Sequence, residues 1–150
     1  MFENHKNPRV RKAFEVAKKA HAGQVDKAGV AYIYHPVAVA SNCGDDDSAI
    51  ITALLHDTVE DTGMTFEELQ VTIPLTNDEL QALKLLTHDK NTPYLEYVER
   101  IKTNALARRV KIADLKHNSD LSRIPAAQIS EKDLSRVEKY RQALKILMDV

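Results

Sequence analysis

The segment Ala53-Leu54-Leu55-His56-Asp57-Thr58-Val59-Glu60-Asp61-Thr62 places a histidine, an aspartate and an acidic pair directly after an apolar run. On a helix, side chains four apart share a face. His56 then sits above Glu60, and Asp57 above Asp61. Neutral imidazole and carboxylate suit Mn²⁺, Fe²⁺ or Zn²⁺, and a carboxylate one turn away can accept a proton from water. This is much of a hydrolytic metal site in one element, although Glu60 and Asp61 are also compatible with a solvated helix end. His56 and Asp57 alone are incomplete, because adjacent side chains diverge by about 100° around a helix. They need a cleft edge and ligands from elsewhere.

Two other residues fit that need. His35 precedes Pro36, and a residue before proline is steered away from helical dihedrals, so it is expected at the end of an extended loop. Asp114 lies in Val110-Lys111-Ile112-Ala113-Asp114-Leu115-Lys116-His117-Asn118, a carboxylate on an otherwise apolar stripe. A buried charge there is costly unless it is paired or metal-bound.

The elements that position these residues read as helices. Asn7-Pro8 is an N-cap with proline at the first helical position, and Gly23 is a stop. Pro36 opens a short helix ending near Gly44. Asp45, Asp46 and Asp47 complement the positive end of a helix from about Ser48, which carries the opening motif and buries Ile50, Ile51, Leu54 and Leu55. Thr65 with Glu68 and Thr76 with Glu79 read as capping boxes. Thr92-Pro93 starts another helix, an apolar-rich run covers Ala105 to about Leu121, and a last helix spans Ser130 to about Met148. The prediction is an all-α bundle of seven or eight helices, with at most one short β-hairpin around Gly29 to Tyr34.

Composition bounds the rest. A chain of 150 residues suits one domain with its own core, here 1–150. The net charge of −1, with signs well mixed, argues against a nucleic-acid binder. No apolar run reaches the ~18 residues of a membrane span, and no signal-peptide pattern opens the chain. Cys43 is the single cysteine, which excludes an internal disulfide framework and suits a reducing compartment. The expectation is a soluble cytoplasmic protein. Nothing in the sequence fixes its oligomeric state.

The order His35…His56-Asp57…Asp114 is that of HD metal-dependent phosphohydrolases. The words His21-Ala22-Gly23-Gln24, Tyr32-Ile33-Tyr34-His35-Pro36, Ala53 to Thr62 and Ala113-Asp114-Leu115-Lys116-His117-Asn118 closely resemble the hydrolase domain of RelA/SpoT-type alarmone enzymes, and specifically their small stand-alone forms. The resemblance runs from about Val10 to Asn118. It implies removal of pyrophosphate from the 3′ position of guanosine 3′,5′-bis(diphosphate), ppGpp, usually with Mn²⁺. It makes His35, His56, Asp57 and Asp114 metal ligands, and Glu60 and Asp61 the pair that positions and deprotonates water. It sets Asn118 near the ribose and Lys27 near the phosphates. Asn118 with His117 is also compatible with a cap or a hydrogen-bonded core pair, and Lys27 with a solvated loop. Tyr140 is a candidate to close over the base, or a core residue.

Two basic positions of that family carry Asp26 and Leu115 here. This leaves Lys111, Lys116, Arg109 and Arg123 as candidates to supply the positive charge. Other nucleotides, such as NADPH, are the alternative substrates. A catalytically silent nucleotide-binding module is the non-enzymatic alternative.

Overall fold

The computed structural model describes residues 1–122 and 124–149; Arg123, one of the candidate cations, lies outside them. Among the described residues, eight α-helices of seven residues or more build the fold, with a ninth of a single turn: α1 (Pro8–Ala20), α2 (Tyr34–Ser41), α3 (Asp47–Leu55), the short α4 (Thr58–Thr62), α5 (Phe66–Thr72), α6 (Asn77–Leu86), α7 (Tyr94–Lys102), α8 (Ala105–Asn118) and α9 (Glu131–Met148). The all-α prediction holds. The expected hairpin is reduced to one antiparallel bridge, Val25 to Ala31.

Local chemistry explains most boundaries. The Asn7 side chain accepts from the Arg9 amide at 2.9 Å, with Pro8 at the first helical position. Asp46, the middle of the acidic triplet, caps α3 by accepting from the Ser48 and Ala49 amides. Thr76 and Glu79 form the full capping box expected at α6. Thr65 and Glu68 form only half of theirs: Thr65 accepts from the Glu68 amide, but its hydroxyl, not its backbone N–H, meets the Glu68 carboxylate. Ser130 and Asp133 make a second full box at the start of α9.

Helix α3 is the hub. Every side chain from Ala49 to Leu55 is buried, as expected for a helix that is apolar on all sides. It packs against α1, α2, α6 and α8, while α9 covers α7 and α8. One core runs from Val10 on α1 to Leu147 on α9. Glu79 is fully buried and ties this framework together. It pairs with Arg9 of α1, accepts from the Ser48 hydroxyl of α3 at 2.8 Å, and caps its own helix.

Two expectations about the motif helix change. The helix does not run through it: α3 ends at Leu55, His56 and Asp57 form a joint, and α4 begins at Thr58. His35 is not on an extended loop but is the second residue of α2, its amide bonded to the Tyr32 carbonyl at 2.9 Å. Proline is tolerated in a first helical turn, where its missing N–H has no intrahelical partner to lose. Helix α2 can therefore start before Pro36.

Candidate metal centre

The joint at His56–Asp57 overcomes the divergence expected of adjacent helical residues. It turns both side chains toward His35, and the His56 Nε2 and the Asp57 Oδ2 lie 3.1 Å apart. The His35 Nε2 is 3.6 Å from the same Asp57 oxygen. One ligand atom each from His35, His56 and Asp57 falls within 4.8 Å of the others. Asp114 enters from α8, its Oδ1 being 2.8 Å from the His35 Nε2 and 3.4 Å from the His56 Nε2. Donor atoms about 2.1 Å from a shared metal lie roughly 3–4.2 Å apart, and these spacings fit or approach that range.

The state of His56 strengthens the fit. Its Nδ1 faces the Ala53 carbonyl, so the neutral ring carries its proton there and its lone pair on Nε2. That Nε2 is buried and makes no hydrogen bond, although two carboxylates are near. A buried imidazole lone pair aimed at carboxylates is a donor set for a divalent cation.

The electrostatics are those of a site that needs positive charge. Burial would raise the Asp57 carboxyl, but the nearby His56 outweighs this and holds it at about 2. Burial would also raise Asp114; the Lys111 ammonium and the two histidines hold it well below the carboxylate range. Burial would lower His56, yet Asp57 and Asp114 draw it well above its ordinary value. A divalent ion held there would supply the positive charge that these carboxylates draw on.

A surrounding layer of side chains bonds the candidate ligands. Lys111 donates to the Asp114 Oδ2 at 2.9 Å from beneath the rings of Tyr97 and Tyr94. It is therefore a partner of the carboxylate and not a spare cation for substrate. The Tyr32 hydroxyl donates to the Asp57 Oδ2 at 2.7 Å, and the Asn118 amide to the Asp114 Oδ1 at 3.1 Å. The Nδ1 atoms of His35 and His117 are 2.7 Å apart. His21 packs on Tyr32 and bonds Gln24 through Nδ1.

The acidic pair lies one turn along on α4. Glu60 accepts from the His88 amide at 2.6 Å, which ties α4 to the segment after α6. Asp61 is pushed up to about 6, first by burial of its carboxyl and then by the charges of Asp57 and Glu60.

Beside this cluster opens a cavity of about 340 Å³ whose lining includes Lys27, Tyr32, Asn118, Asp133, Arg136 and Tyr140. The three substrate-contact candidates thus meet on one cavity. Lys27 is anchored there, donating to the Asp133 Oδ1 at 2.6 Å, and Arg136 pairs with the same oxygen. Sequence reading overlooked Arg136, which stands one turn before Tyr140 on α9; that spacing was the available signal. Asp26 lines the same cavity, and its Oδ1 caps the turn by accepting from the Ala28 and Val30 amides. Leu115 is fully buried in the core. Arg109 and Lys116 line a different cavity behind α8, and Arg109 pairs with Asp46.

Residues 13–82 match the family described as "HD domain". That stretch holds Lys27, His35, His56, Asp57, Glu60 and Asp61. Asp114, Asn118 and Tyr140 lie beyond it. The chain is 47% identical over 64 residues to a guanosine-3′,5′-bis(diphosphate) 3′-pyrophosphohydrolase of Aquifex aeolicus, covering 41% of this chain and 9% of the relative. It is 43% identical over 65 residues to the bifunctional (p)ppGpp synthase/hydrolase SpoT of Escherichia coli, covering 41% and 9%. It is 52% identical over 63 residues to a probable GTP pyrophosphokinase of Mycobacterium leprae, covering 40% and 8%. The matched stretch thus spans less than a tenth of the length of these curated relatives. A solved structure described as "A metazoan ortholog of SpoT hydrolyzes ppGpp and plays a role in starvation responses" superposes with a TM-score of 0.74 at 23% identity. The superposition covers 95% of this chain and 87% of that one. The fold of that structure is therefore shared along nearly the whole chain.

Proposed function

We propose that residues 1–150 act as one metal-dependent HD phosphohydrolase unit that removes pyrophosphate from the 3′ position of ppGpp. The observation that carries this reading is the convergence of His35, His56, Asp57 and Asp114 from three parts of the fold, with the His56 Nε2 buried and unpaired. In this reading those side chains hold one divalent ion, Mn²⁺ by resemblance. Such an ion lowers the pKa of bound water and offsets charge developing on phosphoryl oxygens.

The chain's own groups carry the remaining work. Glu60, fixed by the His88 amide, and Asp61 accept the proton lost by the attacking water. A new bond forms from the water oxygen to phosphorus, the bond from phosphorus to the 3′ oxygen breaks, the 3′ oxygen takes up a proton from solvent to give GDP, and pyrophosphate leaves. Lys27, held in place by Asp133, presents positive charge to the phosphates, Asn118 meets the ribose, and Tyr140 offers a ring to the base from the cavity wall. The named substrates of the bacterial relatives support this choice of nucleotide. Among the described residues, no helix is long and apolar enough to cross a membrane.

The test is a panel of ppGpp, pppGpp, NADPH, GTP and ATP offered to protein loaded with Mn²⁺. The expected result is GDP and pyrophosphate in equal amounts from ppGpp. Phosphate release from NADPH alone would move the substrate while keeping the centre. No turnover of any nucleotide would leave a silent binding module as the reading.

A further inference from the structure

Resting on the metal reading above, we propose that His117 is a positioning residue for the metal ligand His35, fixing both its ring orientation and its tautomer through the Nδ1–Nδ1 hydrogen bond. An imidazole that ligates through Nε2 must carry its proton on Nδ1, and in a buried position that N–H needs an acceptor. His35 is buried, and its Nε2 faces Asp57 and Asp114. At its Nδ1 stands the Nδ1 of His117, 2.7 Å away. One of the two nitrogens must donate and the other accept. Ligation by the His35 Nε2 assigns the donor to His35, so His117 presents a lone pair on Nδ1 and carries its own proton on Nε2.

The geometry suits a fixed strut. The two rings lie 4.9 Å apart between centroids and are inclined by 31°. His117 stands on the last turn of α8, one turn beyond Asp114 on a neighbouring face of the helix. Helix α8 thus supplies one ligand directly and braces another through His117. On its other side His117 lines the cavity behind α8, next to Asn42, Arg109 and Lys116. Its Nδ1 meets the His35 ring at Nδ1, away from the Nε2 that faces the carboxylates. It therefore acts through His35 and not on the metal.

The test compares Mn²⁺ affinity, by isothermal titration of chelator-stripped protein, for wild type, His117→Ala and His117→Asn. Asparagine places an amide oxygen near the position of the lost Nδ1 and keeps an acceptor. The expected outcome is a loss of roughly 10–100-fold in affinity for His117→Ala, typical of removing an outer-shell partner, and near wild-type affinity for His117→Asn. Long-range ¹H–¹⁵N spectra of the Zn²⁺-loaded wild type supply a readout independent of the variants' folding: His35 protonated on Nδ1 and His117 on Nε2. Unchanged affinity in His117→Ala would overturn the inference alone, as would a wild-type His35 protonated on Nε2. Failure of the wild type to bind any metal would overturn the metal reading and this inference together.

Discussion

Asp57 and Asp114 play different parts although both are carboxylates in one cluster. Asp114 has one oxygen committed to Lys111 and the other turned toward the histidines, whereas Asp57 is steadied by Tyr32. Asp57→Ala should abolish Mn²⁺ binding and turnover together, measured by metal titration and pyrophosphate release. Glu60→Gln should keep the metal and lower turnover by about 10²–10⁴, the range for losing an acid–base group; equal metal loss in both variants would refute this division. Asp61 adds a pH dependence. Its carboxyl is held above the ordinary 3.8, at about 6, so the folded state binds more protons than the unfolded state between those values. Stability contributed by the protonated form is present at low pH and is lost as pH rises through that window. The loss should be no more than about 1 kcal/mol, because solvent screens this exposed position. Urea denaturation of metal-free protein at pH 4.5 and 7 should show it, and Asp61→Asn should remove it. At this scale residue type and order singled out His35, His56, Asp57 and Asp114 as candidates, and the structure brings the four side chains together. The roles of Lys111 and His117 were not, because direction around a buried helix face depends on what packs there.

At the scale of elements, the joint between α3 and α4 does the decisive work. A continuous helix would splay His56 and Asp57 apart. Ending α3 at Leu55 and restarting at Thr58 makes them neighbours at one point in space. No proline or glycine marks the joint in the sequence, so the signal that normally betrays a helix break is absent. Caps, by contrast, were readable: Asn7, Thr76 and the acidic triplet all sit where their chemistry places them. Glu79 went further than its capping box suggested, since it also binds Arg9 and Ser48. Glu79→Ala should therefore cost more than a lost cap, about 2–4 kcal/mol by urea denaturation, combining a buried charge contact with the cap itself. A cost near 1 kcal/mol would mean the contacts to α1 and α3 contribute little. The site should still bind metal in that variant, because Glu79 lies at the opposite end of α3 from His56.

For the whole molecule, the apolar run that makes α3 central also sets His56 and Asp57 at the end of the most buried helix. Helices α2 and α8, packed against it, then bring His35 and Asp114 to the same point. The all-α architecture followed from helix-forming composition, closely spaced caps and the lack of alternating strands. The cavity did not, because Lys27 and Asp133 meet across most of the chain, and such long-range pairing leaves no local pattern. Metal and fold should be coupled. Ligand at 100 times its dissociation constant stabilises a folded protein by about 2.7 kcal/mol. Mn²⁺ should therefore raise the melting temperature of the wild type, and chelator should reverse the rise. Asp57→Ala should be insensitive to both.

The most direct test of the centre itself is a crystal structure of Mn²⁺-soaked protein with an anomalous difference map collected near the manganese edge. The expected result is one strong peak in contact with the Nε2 atoms of His35 and His56 and with carboxylate oxygens of Asp57 and Asp114. A map with no peak among these side chains, or with its strongest peak elsewhere on the molecule, would contradict it.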